Sequence, residues 1–146
     1  MEILDRIKDS LHGKVKEANF EGANIVLYTD NENFFKDGES DIKKIVGEIK
    51  KRIELRADQK ILPSKEITEK KIRSIIPEEA EITEIIFDVQ RSIVVIEAKK
   101  PGLVIGKGGS ILDEVRRETL WVPQVQRSPA IKSKITESIR EVLYDN

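Results

Sequence analysis

Cysteine is absent from these 146 residues, which excludes a disulfide framework and any thiolate zinc site. Histidine is almost absent. His12 stands alone on a segment with helical spacing, where one imidazole is a surface or packing residue rather than a ligand set. The longest strictly apolar stretches run to about four residues, against the roughly 20 of a membrane helix, and no signal peptide is expected. The expectation is a soluble, cytoplasmic chain. Neither sign of charge dominates: the net charge is −1, with 13 basic and 14 acidic groups in residues 1–67 and 13 of each in residues 68–146. Any affinity for nucleic acid must therefore come from a local patch. No cluster of carboxylates, His or Ser/Lys stands at catalytic spacing, so the chain reads as a non-enzyme.

What the chain does have is charge of both signs, 36% of its residues, and a modest 38% of apolar ones, isoleucine the commonest. Each core should be thin and covered by long charged side chains. The isoleucines set the periodicity. Helical spacing covers Glu2–Leu11 (stopped near Gly13), Glu39–Lys51, a helix opened by Pro63-Ser64 and closed by Pro77, Gly109–Thr119, and a last helix from Pro129 to Leu143. Strand patterns occupy Val15–Phe20, Ile25–Thr29, Ile53–Arg56, Ile82–Val89, Ile93–Ala98 and Val122–Arg127, with Pro123 marking an edge or a bulge.

The order repeats. Offsets of 67 to 69 lay Phe20-Glu21 on Phe87-Asp88, Ile25-Val26 on Ile93-Val94 and Ile42 on Ile111. Each unit reads helix, strand, strand, short helix, helix, strand. The expected domains are 1–63 and 64–146, the second carrying the C-terminal helix. That helix matches the one opening the second unit, so the chain is expected to be a piece of something longer.

The units differ at one place. The second has Gly106-Lys107-Gly108-Gly109 before an amphipathic helix; the first has Asp37-Gly38-Glu39-Ser40. Glycines let the backbone take positive φ, and a helix start offers free N–H groups to an anion. Two carboxylates at the same place would repel a phosphate. Around the glycine turn lie five cations, Lys99, Lys100, Lys107, Arg116 and Arg117, against Asp113 and Glu114. A Walker loop needs four residues between its first glycine and Gly-Lys-Ser/Thr, and only three separate Gly102 from Gly106. A dinucleotide fingerprint needs glycine where Ile111 stands. The Gly-x-x-Gly loop of KH domains, which clamps a nucleic-acid backbone, fits the residues on both sides. A plain turn also fits any glycine-rich tetrapeptide.

The element order with this loop resembles a type II KH domain (αββααβ), giving an α+β chain of two tandem copies, the first degenerate. Lys100-Pro101-Gly102-Leu103-Val104-Ile105-Gly106-Lys107-Gly108-Gly109-Ser110, with Arg117-Glu118-Thr119 and Trp121-Val122-Pro123, resembles the tandem KH region of archaeal β-CASP metallo-β-lactamase ribonucleases. The resemblance implies single-stranded RNA as partner, U-rich by preference. It also implies a downstream zinc-dependent nuclease domain in the same protein, and a role in RNA 3′-end processing and transcription termination beside RNA polymerase. With His12 as its one histidine the chain lacks the nuclease's ligands, so it should hold no cofactor and, isolated, be a monomer.

The expected site follows from loop and resemblance together. The N–H groups of Gly108, Gly109 and Ser110 would hold two phosphates, with Lys107 beside them. Lys99, Lys100 and Arg117 would draw in the flanking backbone. The apolar edge of Leu103-Val104 and the strand Val122–Arg127 would wall a groove for about four bases, with Ile105 also against the RNA. Trp121 is the one stacking candidate, with burial its more natural use. Tyr28, Phe34 and Phe35 in the first unit are read as packing residues. The competing reading is a scaffold docking on its nuclease domain or on RNA polymerase.

Overall fold

Residues 2–128 are described by the computed structural model; the helix expected over 129–143 lies outside them. The first unit runs α1 (Ile3–Ser10), β1 (Glu17–Glu21), β2 (Asn24–Thr29), α2 (Glu32–Asp37), α3 (Glu39–Ile49), β3 (Ile53–Ala57). The second runs α4 (Lys65–Ile75), β4 (Ile82–Asp88), β5 (Ile93–Ala98), α5 (Pro101–Ile105), α6 (Ser110–Thr119), β6 (Val122–Arg127). Each unit closes a three-stranded sheet, β1-β2-β3 and β4-β5-β6, antiparallel at the hairpin and parallel at the crossover. A parallel pair needs a long crossover, and the two short helices of each unit supply it. No helix among the described residues is long and apolar enough to cross a membrane.

Local chemistry sets the ends. Asn31 caps α2, its side chain accepting the Phe34 N–H at 2.9 Å, and Ser64 caps α4 through the Ile67 N–H at 3.3 Å. Helices α3 and α6 both end on a left-handed residue, Lys50 (φ 58°) and Leu120 (φ 65°). Pro123 sits on β6, an edge strand, where its missing N–H costs no ladder bond on the open side.

Strand pairing corrects the expected superposition. Phe20 pairs with Ile25 and Phe87 with Val94, so Ile25 corresponds to Val94 rather than Ile93. The second hairpin carries a longer turn, because Glu21 pairs with Asn24 but Asp88 with Ile93. Aligning the left-handed helix ends likewise puts Ile42 on Leu112 rather than Ile111. Strand β1 begins at Glu17, two residues later than its apolar pattern suggests, because Val15 is buried in the core ahead of the ladder.

The two sheets do not keep separate cores. One cluster is built on Ile7, Leu11, Ile25, Leu27, Phe34, Phe35 and Leu55 of the first unit, and it also takes in Ile93, Leu120 and Val122 of the second. The other cluster holds Ile72, Val94, Ile96, Val104, Val115 and Trp121. The alternation of β5 explains the split: Val94, Ile96 and Ala98 face the second unit's helices, while Ile93 points the other way, into the first unit. The Ser92 hydroxyl donates to the Ala57 carbonyl at 2.5 Å across the same seam, and both residues are fully buried.

Candidate nucleic-acid interface

The glycine turn rests on a rigid base. Val104 and Val115 are fully buried under it, and Trp121 packs edge-on against Phe87 with ring centroids 4.9 Å apart. The Trp121 indole N–H donates to the Pro63 carbonyl at 3.3 Å, so this ring serves the core and not a base. Helix α5 stops at Gly106, whose φ of 75° and ψ of 173° belong to a region that only glycine enters readily. A Cβ there would also lie 2.7 Å from Ile111 Cγ1. Residues 107–109 then make one tight turn, with Gly108 (φ 64°) and Gly109 (φ 80°) both left-handed, before α6 begins at Ser110.

That turn reassigns the donors. The Gly109 N–H donates to the Gly106 carbonyl at 3.2 Å, and the Ser110 N–H donates to the Lys107 carbonyl. Both amides are therefore committed within the loop. The Lys107 and Gly108 amides have no backbone acceptor among the described residues, being the open end of the turn. The donor pair offered to an anion is thus Lys107 with Gly108. Lys107 and Gly108 are exposed, Gly106 and Gly109 half-buried, so a polynucleotide can reach all four. Leu103 and Ile105 flank them with 40% and 37% of their surface in water, an apolar shoulder beside the donors.

The basic patch divides. Lys99, Lys100 and Lys107 stay exposed, Lys107 in the loop and Lys99 and Lys100 ahead of α5, where Lys100 lies 3.8 Å from Glu81. Arg116 and Arg117 turn away to the first unit. The Arg117 guanidinium donates to the Lys36 carbonyl at 3.1 Å and to the Asp37 carboxylate at 3.2 Å. Arg116 lies over the Phe35 ring, 3.9 Å from its centroid, and burial holds its guanidinium below the usual arginine range. Arg117 is thus committed to the end of α2, whose last carbonyls attract a cation. Val122 is also misplaced by the sequence pattern: it is 9% exposed and belongs to the first unit's core, because it shares the back face of the sheet with its partner Ile93. The groove wall available on β6 begins beyond it.

In the first unit the loop has contracted. A single residue, Gly38 (φ −81°), separates α2 from α3, where four residues separate α5 from α6. Its N–H donates to the Phe34 carbonyl at 2.8 Å, so Gly38 offers no open donor, and Asp37, Glu39 and Asp41 set carboxylates around the start of α3. Asp37 has become the acceptor for Arg117. Nothing in the sequence marks this pairing, since the two residues lie 80 positions apart. Reversing either charge (Arg117→Asp or Asp37→Arg) should lower unfolding stability by about 0.5–1 kcal/mol, and the double exchange should restore most of it. Urea unfolding of the four proteins gives the coupling directly.

Among the described residues no three His, Cys, Asp or Glu side chains gather as a metal site requires. Comparison with known families matches residues 1–62 to "Transcription termination factor FttA, KH domain" and residues 66–119 to "KH domain". Proteins named transcription termination factor FttA are similar throughout the chain. The one from Methanocaldococcus jannaschii is 38% identical over 98% of the chain, and that from Methanothermobacter thermautotrophicus 41% over 99%. The one from Pyrococcus horikoshii is 47% identical over 89%. The chain covers 23%, 24% and 20% of these relatives, about a fifth to a quarter of their length. The fold and the matched segments together make the chain a pair of tandem KH domains, similar to the KH region of the archaeal termination factor FttA.

Proposed function

We propose that the second KH unit binds single-stranded RNA at the Gly106–Gly109 loop and that the chain is the RNA-gripping part of a transcription termination factor. The observation that carries this reading is the open amide pair of Lys107 and Gly108, exposed just before the start of α6 with the Lys107 side chain in the same turn. One phosphate sits on the two N–H groups, and the Lys107 ammonium neutralises it or its neighbour. Leu103 and Ile105 pack against unstacked bases. The chain cuts nothing and holds no cofactor. It passes U-rich 3′ regions to a zinc-dependent ribonuclease module of the same protein, working in the cytoplasm beside RNA polymerase. The likeness of residues 99–123 to the β-CASP ribonucleases supports the nuclease step, and the relatives' names support termination.

Titration of a labelled U-rich oligonucleotide at two salt concentrations tests it. One small groove should give affinity on the order of micromolar, falling with salt at a slope of roughly −0.7 per phosphate neutralised. Duplex of the same sequence should bind more weakly. Binding that ignores salt, or favours the duplex, would overturn the reading.

A further inference from the structure

The two units present the same surface, and among the described residues only one of them has it covered. The shared left-handed helix ends (Lys50, Leu120) and strand pairings (Ile25 with Ile53, Val94 with Pro123) align the units. They place Val46, Gly47, Lys50 and Arg52 where the second unit has Arg116, Arg117, Leu120 and Val122. Those four residues of the second unit are the ones seated on the first, against Phe35, Asp37 and the shared core. Among the described residues nothing is seated on their counterparts in the first unit, of which Gly47, Lys50 and Arg52 are exposed and Val46 half-buried. They lie in an open groove of about 700 Å³ between α3 and the start of β3. Ile42, Val46 and Ile53 form its floor, and its rim carries four cations, Lys43, Lys50, Lys51 and Arg52, against one carboxylate, Glu39. Gly47 leaves the helix flat at the centre, with nothing within 4 Å of where its Cβ would be. Lys43 pairs with Glu39 at 3.2 Å, while Lys50, Lys51 and Arg52 have no carboxylate within 4.0 Å among the described residues.

We infer that this groove docks an acidic amphipathic helix of another protein, its apolar side entering and its carboxylates meeting the rim. The seated face of the second unit shows the chemistry: what it accepts is a helix end carrying an aromatic ring and a carboxylate, Phe35 and Asp37. An aliphatic floor with a cationic rim suits an apolar helix face flanked by acids. A second copy of this chain does not fit. The element it would offer, the counterpart of the end of α2, is the glycine loop with Lys99, Lys100 and Lys107, and those cations would face the cationic rim. Single-stranded RNA fits less well too, because the Gly38 N–H is committed to Phe34 and Asp37, Glu39 and Asp41 set carboxylates where a phosphate would approach the start of α3.

The experiment is an amide chemical-shift titration of the 146-residue chain with three probes. One is a helical peptide of about 20 residues, Leu and Phe on one face and Glu on the other. The second has the same composition permuted to destroy the apolar face, and the third is a U-rich oligonucleotide. The first peptide should shift residues 42–53 and the permuted one should not, while the oligonucleotide shifts residues 99–110. Lys50→Glu with Arg52→Glu should weaken the first peptide by at least about tenfold and leave the oligonucleotide unaffected. Gly47→Trp, on an exposed helix position with open space, should block the peptide without reversing any charge. No peptide shifts in 42–53, equal shifts from both peptides, or shifts there from the oligonucleotide alone would overturn the inference. The oligonucleotide arm reports separately on the glycine loop, so either idea can fail without the other.

Discussion

Lys107→Asp combined with Gly108→Asp lowers RNA affinity by about a hundredfold or more and leaves the far-ultraviolet circular dichroism unchanged. The sign follows from what the loop offers. Two N–H dipoles and one ammonium give way to two carboxylates at the contact distance of a phosphate, where like charges repel by about 1 kcal/mol in water and more as water is excluded. Folding survives because neither side chain packs. Lys107 is exposed, and a Cβ on Gly108 would meet nothing within 4 Å. The φ of 64° and ψ of 20° at Gly108 lie where aspartate is tolerated. Gly106 is the wrong residue for this experiment, since any side chain there strikes Ile111 and a loss of binding would report damage to the start of α6. Filter binding or anisotropy with a U-rich oligonucleotide reads the result. Binding that persists in the double variant places the anion site elsewhere.

The fold was largely legible because it is written in short-range patterns. Isoleucines at three- and four-residue spacing, capping residues such as Ser64, and the turn between Phe20 and Ile25 each act over a few positions. The glycine loop was legible for the same reason: its conformations depend on four consecutive residues. Two kinds of feature escape such patterns. One is which amides remain open, because whether Gly109 and Ser110 close a 3-10 turn is settled by backbone geometry and not by residue type. The other is anything decided between the units. Arg117 reads as an RNA contact from its place beside the loop, and only the docking of α6 on α2 shows it bound to Asp37. Val122 fits a groove wall by strand pattern alone; its burial comes from a sheet packed on both faces at that end, which alternation within one strand cannot reveal. Asp37 reads in sequence as the loss of a phosphate cradle. It is also the gain of a site for guanidinium.

The largest stability effect should come from a residue that the sequence pattern passes over. Arg56 alternates correctly on β3, yet its side chain is 3% exposed and holds three partners. Its guanidinium donates to both oxygens of Glu21, at 2.5 and 3.0 Å, to Glu54 at 2.6 Å and to the Tyr28 hydroxyl at 3.1 Å. Burial alone would lower its pKa, and the bonds to Glu21, Tyr28 and Glu54 more than reverse this, so it stays charged at every working pH. Arg91, from the second unit's hairpin turn, lies 3.6 Å from the same Glu21, so the network also ties the two units. Arg56→Met should cost about 2–3 kcal/mol at neutral pH, less than the roughly 3–5 of a fully buried pair because Glu21 and Glu54 keep roughly a third of their surface in water. The pH dependence discriminates between lost charge pairing and lost packing. The hydrogen bond from Arg56 is the chief reason that Glu21 titrates below its ordinary 4.5. A depressed carboxylate stabilises the fold above that value and loses its contribution as pH falls through the lowered one. Wild type should therefore lose stability on acidification while Arg56→Met loses less, and the gap measured by urea unfolding should narrow as pH falls below that ordinary value. A gap that stays constant from neutral to acid pH would assign the cost to packing alone.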